Sequence, residues 1–321
     1  MTREVSIDVY RVALMYGICV LHAITFGNVN CAWVSNVLCS CVVGFVLISG
    51  WFGIRFSVWK VLKLYGIGFY AAFVYSVLSW CLGDVTDVMG MLQVGLGQFL
   101  NGFWFLHAYV VLMVFAPLIN AGLKYVNGGR GALLWPILLL VWGWGFGKTL
   151  PLIGDYLPNT AGIDAYGGLT LVAIYAAMRW VRETEVLSKL KTWQCGVILL
   201  LSLLLTGLGL GDYNSPFAFA LACMWFVLYK RIRMPRWLSS LCVALGPSMF
   251  SVYLLHTNGL GGQFIANGEV WWQNTLGCPI SLSVLLTASV VFCSACLLDL
   301  PRRLFVKGVI SLRRYVTICN I

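Results

Sequence analysis

Residues 7–23 read IDVYRVALMYGICVLHA, an apolar run interrupted by Asp8, Arg11 and His22. If the run is helical, the eleven-residue step from Arg11 to His22 makes about three turns, so both side chains share one face, roughly 16 Å apart along the axis. Ionisable groups at membrane depth are costly unless they line a protein interior or a wet cavity. The pair therefore predicts a buried site on this helix. The alternative interpretation is an interfacial arginine and a packed core histidine.

The composition belongs to a membrane protein. The 321 residues are 60% hydrophobic and only 10% charged, and the mean hydropathy is +0.89. A soluble domain carries about a quarter charged residues. Since a spanning helix takes about 20 residues, the chain has room for about ten. We expect an all-α, polytopic fold in which residues 1–321 form a single transmembrane domain.

The positions of the apolar runs define the predicted spans. They lie at about 7–27, 31–54, 64–83, 102–122, 131–147, 165–181, 193–211, 215–229, 240–260 and 279–298. Residues 88–101 are short for a span and rich in Gly and Gln, which indicates a surface or re-entrant segment. The segment that holds Glu269, Trp271 and Trp272 is predicted to be an external loop. Ser215, directly before Pro216, is predicted to cap a helix.

The cations fix the expected orientation. With the N-terminus inside, 19 of the 21 Lys and Arg residues fall on the cytoplasmic side, which leaves only Arg11 within a span and Lys148 outside. Positive residues in short loops stay in the cytoplasm, so both termini are predicted to be cytoplasmic. The net charge of +10 is then a topological signal, and no nucleic-acid partner is predicted.

Neither a metal site nor a bound cofactor is predicted. The twelve cysteines are scattered, mostly through apolar segments, where free cysteines usually pack. The three histidines are well separated and have no supporting carboxylates within the spans, a pattern that does not favour zinc.

Four short motifs follow one another along the chain. They are Asp8-Val-Tyr-Arg11 with His22, Gly102-Phe-Trp104-Phe-Leu-His-Ala-Tyr109 with Pro117-Leu-Ile-Asn120, Tyr213-Asn-Ser215-Pro216, and Ser251-Val-Tyr253-Leu-Leu-His256. Together they resemble the acyltransferase-3 family of integral membrane O-acyltransferases. That family has an Asp, Arg and His pattern in its opening helix, a Trp-Phe-Leu helix that ends in Pro-Leu, a Ser-Pro entry into a later span, and a penultimate Tyr-Leu-x-His helix.

The resemblance implies a catalytic activity and a cellular location. The family transfers an acyl group, usually acetyl, from cytoplasmic acyl-CoA to a sugar hydroxyl of a surface glycan or its lipid-linked precursor. We therefore expect a multi-pass inner-membrane O-acetyltransferase whose partners are membrane lipid, acyl-CoA and the glycan. A succinyl or longer acyl group remains an alternative. A glycan or lipid transporter, or a polymerase, without acyl transfer is the rival function.

The motif positions carry the expected roles. His22 is the catalytic candidate, either as the general base or as a nucleophile that carries the acyl group. Arg11 is the donor-binding candidate, because a guanidinium binds phosphate or pantetheine polar groups by charge-assisted hydrogen bonds. The candidate supporting residues are Asp8, Trp104, Tyr253 and His256. Trp271 and Trp272 are either a sugar-stacking platform or part of an interfacial aromatic belt.

Overall fold

The computed structural model describes residues 4–125, 168–257 and 259–319. These ranges contain helices and no strand, which confirms the all-α prediction. The first range holds α1 (Val5–Phe26), α2 (Ala32–Phe52), α3 (Val58–Cys81), α4 (Val88–Gly97) and α5 (Trp104–Tyr125). The second holds α6 (Gly168–Glu183), α7 (Val186–Lys189), α8 (Thr192–Leu205), α9 (Pro216–Arg231), α10 (Arg236–Leu245) and α11 (Met249–His256). The third holds α12 (Gly259–Leu276), α13 (Ile280–Leu298) and α14 (Leu300–Cys319).

Seven helical segments in the described residues are long and apolar enough to cross a membrane, which confirms a polytopic membrane fold. They are α1, α2, α3 and α5, together with the segments Thr192–Leu210, Arg236–His256 and Ile280–Val309. The predicted spans at 165–181 and 215–229 coincide with α6 and α9, which have 16 residues each. The span at 131–147 lies outside the described residues. The count of ten and the cytoplasmic termini stay predictions.

The prediction of an external loop around Glu269 is wrong, because this segment forms helix α12. Gln, Asn and Glu side chains lower the hydropathy of the segment, so it resembles a loop in the sequence. The helix nevertheless buries Gly262, Ile265 and Glu269 against its neighbours. Packing of this narrow face thus stabilises a helix that hydropathy does not reveal.

Local capping sets the ends of other helices. Ser215 accepts a hydrogen bond from the backbone N–H of Phe217 at 3.1 Å, and Pro216 occupies the first turn of α9, so the predicted cap is confirmed. Asp87 caps α4 in the same way, by accepting from the N–H of Gly90 at 2.6 Å. The short helix α4 continues into a π-helical turn, Gln98–Gly102, that leads to α5.

Helix α1 is the centre of the bundle. It packs against α2, α9, α10, α11, α12 and α13. The contact with α2 is close, since a Cβ atom on Gly44 would lie 2.7 Å from the side chain of Leu14. Small residues allow such close approach between membrane helices. The face of α1 that carries Arg11 and His22 lines internal cavities.

Candidate active site

An internal cavity of about 290 Å³ runs along α1. Arg11 lies in its wall near one end of the helix and His22 near the other, so the two side chains line one space as the helical spacing predicts. Apolar side chains form most of the remaining wall; among them are Met15, Ile18, Val42, Phe45, Leu64, Met249 and Phe250. We call this space the inner cavity.

A second cavity, of about 430 Å³, joins the inner cavity at Arg11. The two share Arg11, Ile48, Ser49, Leu64 and Tyr109 in their walls. The second cavity also contains three further cations, Arg55, Lys60 and Lys63. We call it the basic mouth. Its chemistry is that of an anion site, which leads into a largely apolar passage.

Three polar side chains, Arg11, Ser49 and Tyr109, lie where the walls of the two cavities meet. Arg11 Nη1 donates to Asp8 Oδ1 at 3.2 Å, and the Asp8 side chain is only 3% exposed whereas that of Arg11 is 39% exposed. The Ser49 and Tyr109 hydroxyls form a hydrogen bond of 2.9 Å with each other. The Asp8 carboxylate therefore holds the guanidinium at the junction of the two cavities, where it remains accessible to a ligand.

His22 and His256 form a directed hydrogen-bond chain. His256 Nδ1 lies 2.5 Å from the carbonyl oxygen of Val252, and His256 Nε2 lies 2.9 Å from His22 Nδ1. A carbonyl oxygen only accepts, so His256 Nδ1 carries a hydrogen; in the neutral ring Nε2 then accepts. His22 Nδ1 is therefore the donor of the second bond. The lone pair of neutral His22 lies on Nε2, and this nitrogen can take a proton or attack a carbonyl.

Trp104 and Tyr253 also line the inner cavity. Trp104 is the first residue of α5, and its ring packs against Tyr213 with ring centroids 5.8 Å apart. Tyr253 lies one turn before His256 on α11, with ring centroids 6.4 Å apart. The structure thus brings Trp104 of α5 and Tyr253 of α11 to the cavity that Arg11 and His22 of α1 also line.

Trp271 and Trp272 are not part of this arrangement. Both lie on α12, with ring centroids 4.8 Å apart, and Trp271 is 50% exposed. Neither residue lines the inner cavity or the basic mouth. The sugar-stacking platform and the interfacial belt both stay predictions for this pair.

Arg55, Lys60 and Lys63, which line the basic mouth, were not among the predicted site residues. This tract is poorer in arginine than the basic loop of the family that the sequence resembles, so no donor contact was assigned there. The sequence feature that could have identified these cations is a basic tract that follows an apolar run ending near a glycine. Gly53 has a φ of 76°, ends α2 and turns the chain toward this tract. Ser49 carried no signal, since single hydroxyls are common in spans, and Tyr109 ended a motif without an assigned role.

Comparison with known families agrees with the motifs. Residues 4–298 match the acyltransferase-3 family, described as an acyltransferase domain. The match covers most of the chain, so the protein belongs to this family and is a membrane acyltransferase. Neither the curated proteins nor the solved structures gave a match.

Proposed function

We propose that the protein is an inner-membrane O-acyltransferase that moves an acyl group, in the simplest case acetyl, from cytoplasmic acyl-CoA to a hydroxyl of a surface polysaccharide or its lipid-linked precursor. The observation that supports this proposal is that two adjoining cavities share Arg11 in their walls, one with the cations of the basic mouth and the other with His22. A donor with an anionic head and a long uncharged arm matches two such cavities.

The fit to acyl-CoA follows from its chemistry. The phosphates of CoA are multiply charged, and Arg and Lys bind phosphate by charge-assisted hydrogen bonds. The pantetheine arm is extended and uncharged, so it suits a narrow cavity with apolar walls and a few hydroxyl groups. With the phosphates in the basic mouth, the distance from Arg11 to His22, roughly 16 Å along the helix, matches the length of the arm. The thioester then lies beside His22.

His22 Nε2 supplies the chemistry in this proposal. As a general base it takes the proton of the acceptor hydroxyl while that oxygen attacks the thioester carbonyl. The C–S bond then breaks, and the CoA thiolate takes the proton from His22, so the products are an ester and CoA thiol. In the covalent alternative, Nε2 attacks the thioester carbonyl, the C–S bond breaks and CoA leaves as the thiolate. The sugar hydroxyl then attacks the acyl carbon, the C–N bond to His22 breaks, and the hydroxyl proton passes to the CoA thiolate. Both routes use the same lone pair, which His256 holds in place.

The direct test is His22→Ala in protein purified into lipid nanodiscs. We expect this variant to fold and insert but to lose at least about 100-fold in acyl transfer from acetyl-CoA to isolated glycan, the smallest typical contribution of a general base. Release of CoA thiol and labelling of the glycan measure the two halves of the reaction. Transfer by His22→Ala at the wild-type rate would refute the proposal, as would acceptor processing by the wild type without acyl-CoA.

A further inference from the structure

The Tyr253 hydroxyl has a hydrogen that the surrounding protein does not use. Tyr253 is 6% exposed and lines the inner cavity together with His22. Its oxygen accepts the backbone N–H of Phe105 at 3.4 Å. Within the described parts of the chain, no group accepts a hydrogen bond from this hydroxyl in return. A buried phenol normally finds an acceptor, so this hydrogen is available to a ligand in the cavity.

The N-terminus of α5 polarises this hydroxyl. Phe105 is the second residue of α5, and the first amides of a helix have no intrahelical carbonyl partner. They also carry the positive end of the helix dipole. Donation by the Phe105 N–H strengthens the donor character of the Tyr253 O–H, because linked hydrogen bonds reinforce one another. The positive end of the α5 dipole therefore makes the Tyr253 hydroxyl a stronger hydrogen-bond donor to a ligand in the cavity.

Trp104 provides a second donor without a protein acceptor in the described residues. Trp104 begins α5, next to Phe105, and lines the same cavity. Its indole N–H has no acceptor among the described residues. Two donors, one from α5 and one from α11, thus belong to residues that line the same cavity as His22.

From this geometry we infer that Tyr253 O–H and Trp104 Nε1–H form the oxyanion hole of the acyl-transfer reaction. The inference rests on the proposed function. Attack on the thioester carbonyl converts its π bond into negative charge on oxygen, and the two donors stabilise that charge by hydrogen bonds without transferring a proton. When the C–S bond breaks, the carbonyl forms again and the thiolate receives the proton that His22 holds. The electrostatic role is the same for the general-base and covalent routes.

Tyr253→Phe tests the inference, since it removes one hydroxyl and keeps the ring. We expect kcat to fall by about 100- to 1,000-fold, which is the usual cost of one oxyanion donor. KM for acyl-CoA should stay within about twofold, because the lost interaction forms only in the transition state. Tyr16→Phe is the matched control: its hydroxyl pairs with Ser289 at 2.9 Å, and the residue lines neither the inner cavity nor the basic mouth. The control should keep wild-type kcat. A Tyr253→Phe enzyme with wild-type kcat would overturn the assignment.

A second measurement separates this role from packing. Substitution of 3,5-difluorotyrosine for Tyr253 keeps the ring and lowers the pKa of its hydroxyl, and the deprotonated phenolate cannot donate a hydrogen bond. We expect kcat to decline at a lower pH than in the wild type. An unchanged pH profile would contradict the inference. If the wild type turns over acyl-CoA and needs His22 while both Tyr253 variants are fully active, only the oxyanion hole is wrong; if the wild type does not use acyl-CoA, the proposed function itself is wrong.

Discussion

His22 and His256 lie 234 positions apart in the sequence and form a 2.9 Å hydrogen bond in the fold. The residue types and their family motifs could be predicted from the sequence. The bond between them could not, because helical periodicity relates residues within one helix and carries no information on which distant helix packs beside it. The same limit explains why Tyr253 had a motif position but no role until α5 and α11 were placed together.

The His256 side chain has a positioning role in the proposed reaction, and His256→Ala tests it. Without the acceptor at Nε2, the hydrogen of His22 is no longer held on Nδ1, so part of the about 100- to 10,000-fold contribution of a general base is lost. We expect a lower kcat with a nearly unchanged KM for acyl-CoA. His256→Gln retains a side-chain acceptor and should recover part of the rate. Equal activity of His256→Ala and the wild type would contradict this role.

At the scale of single elements, the segment between α2 and α3 shapes the basic mouth. Its backbone is anchored at Ile54, whose N–H donates to the Tyr175 hydroxyl at 2.9 Å and whose carbonyl accepts from Asn120 Nδ2 at 3.1 Å. Tyr175 also donates to Asn120 Oδ1 at 2.9 Å. This triangle of hydrogen bonds fixes the start of the segment that carries Arg55, Lys60 and Lys63.

The combined variant Lys60→Ala and Lys63→Ala tests that element. Exposed ion pairs contribute up to about 1 kcal/mol each, so loss of two phosphate contacts should raise KM for acyl-CoA by about tenfold. Because the two lysines should bind the CoA phosphates equally well in the ground state and in the transition state, kcat should change little. The matched control removes Lys189 and Lys191, which lie outside the basic mouth. An equal effect of both double variants would show that general charge, and not this mouth, governs KM.

Helix α12 carries a buried carboxyl, that of Glu269, which is 1% exposed. Neither of its oxygens has a hydrogen-bond partner in the described part of the chain. Burial raises its pKa from 4.5 to about 7. Between these values the folded protein holds a proton that the unfolded chain has released, so the protein loses stability as the pH rises from about 4.5 to about 7.

Glu269→Gln should remove this pH dependence. The amide stays neutral at every pH, so the variant should show a higher melting temperature than the wild type at pH 8 and little difference at pH 5. Thermal unfolding in detergent at the two pH values measures the effect. A variant that is less stable than the wild type at pH 8 would show that the ionised carboxylate stabilises the fold.

At the scale of the whole molecule, hydropathy predicted much of the helical layout, because a membrane span needs a continuous apolar run and satisfied backbone groups. It failed for α12, whose polar residues conceal a helix stabilised by packing on one narrow face. It also could not locate the cavities, whose walls combine side chains from α1, α2, α3, α5 and α11. Their volumes and connections are properties of the assembled bundle.

The acyl content of the surface glycan tests the central claim most directly. Mass spectrometry compares glycan from cells that carry the wild-type protein with glycan from cells that carry His22→Ala at equal membrane abundance. We predict that the glycan repeat loses the mass of one acyl group in the variant, about 42 Da for acetyl or about 100 Da for succinyl. Glycan with the same acyl content in both strains would contradict it.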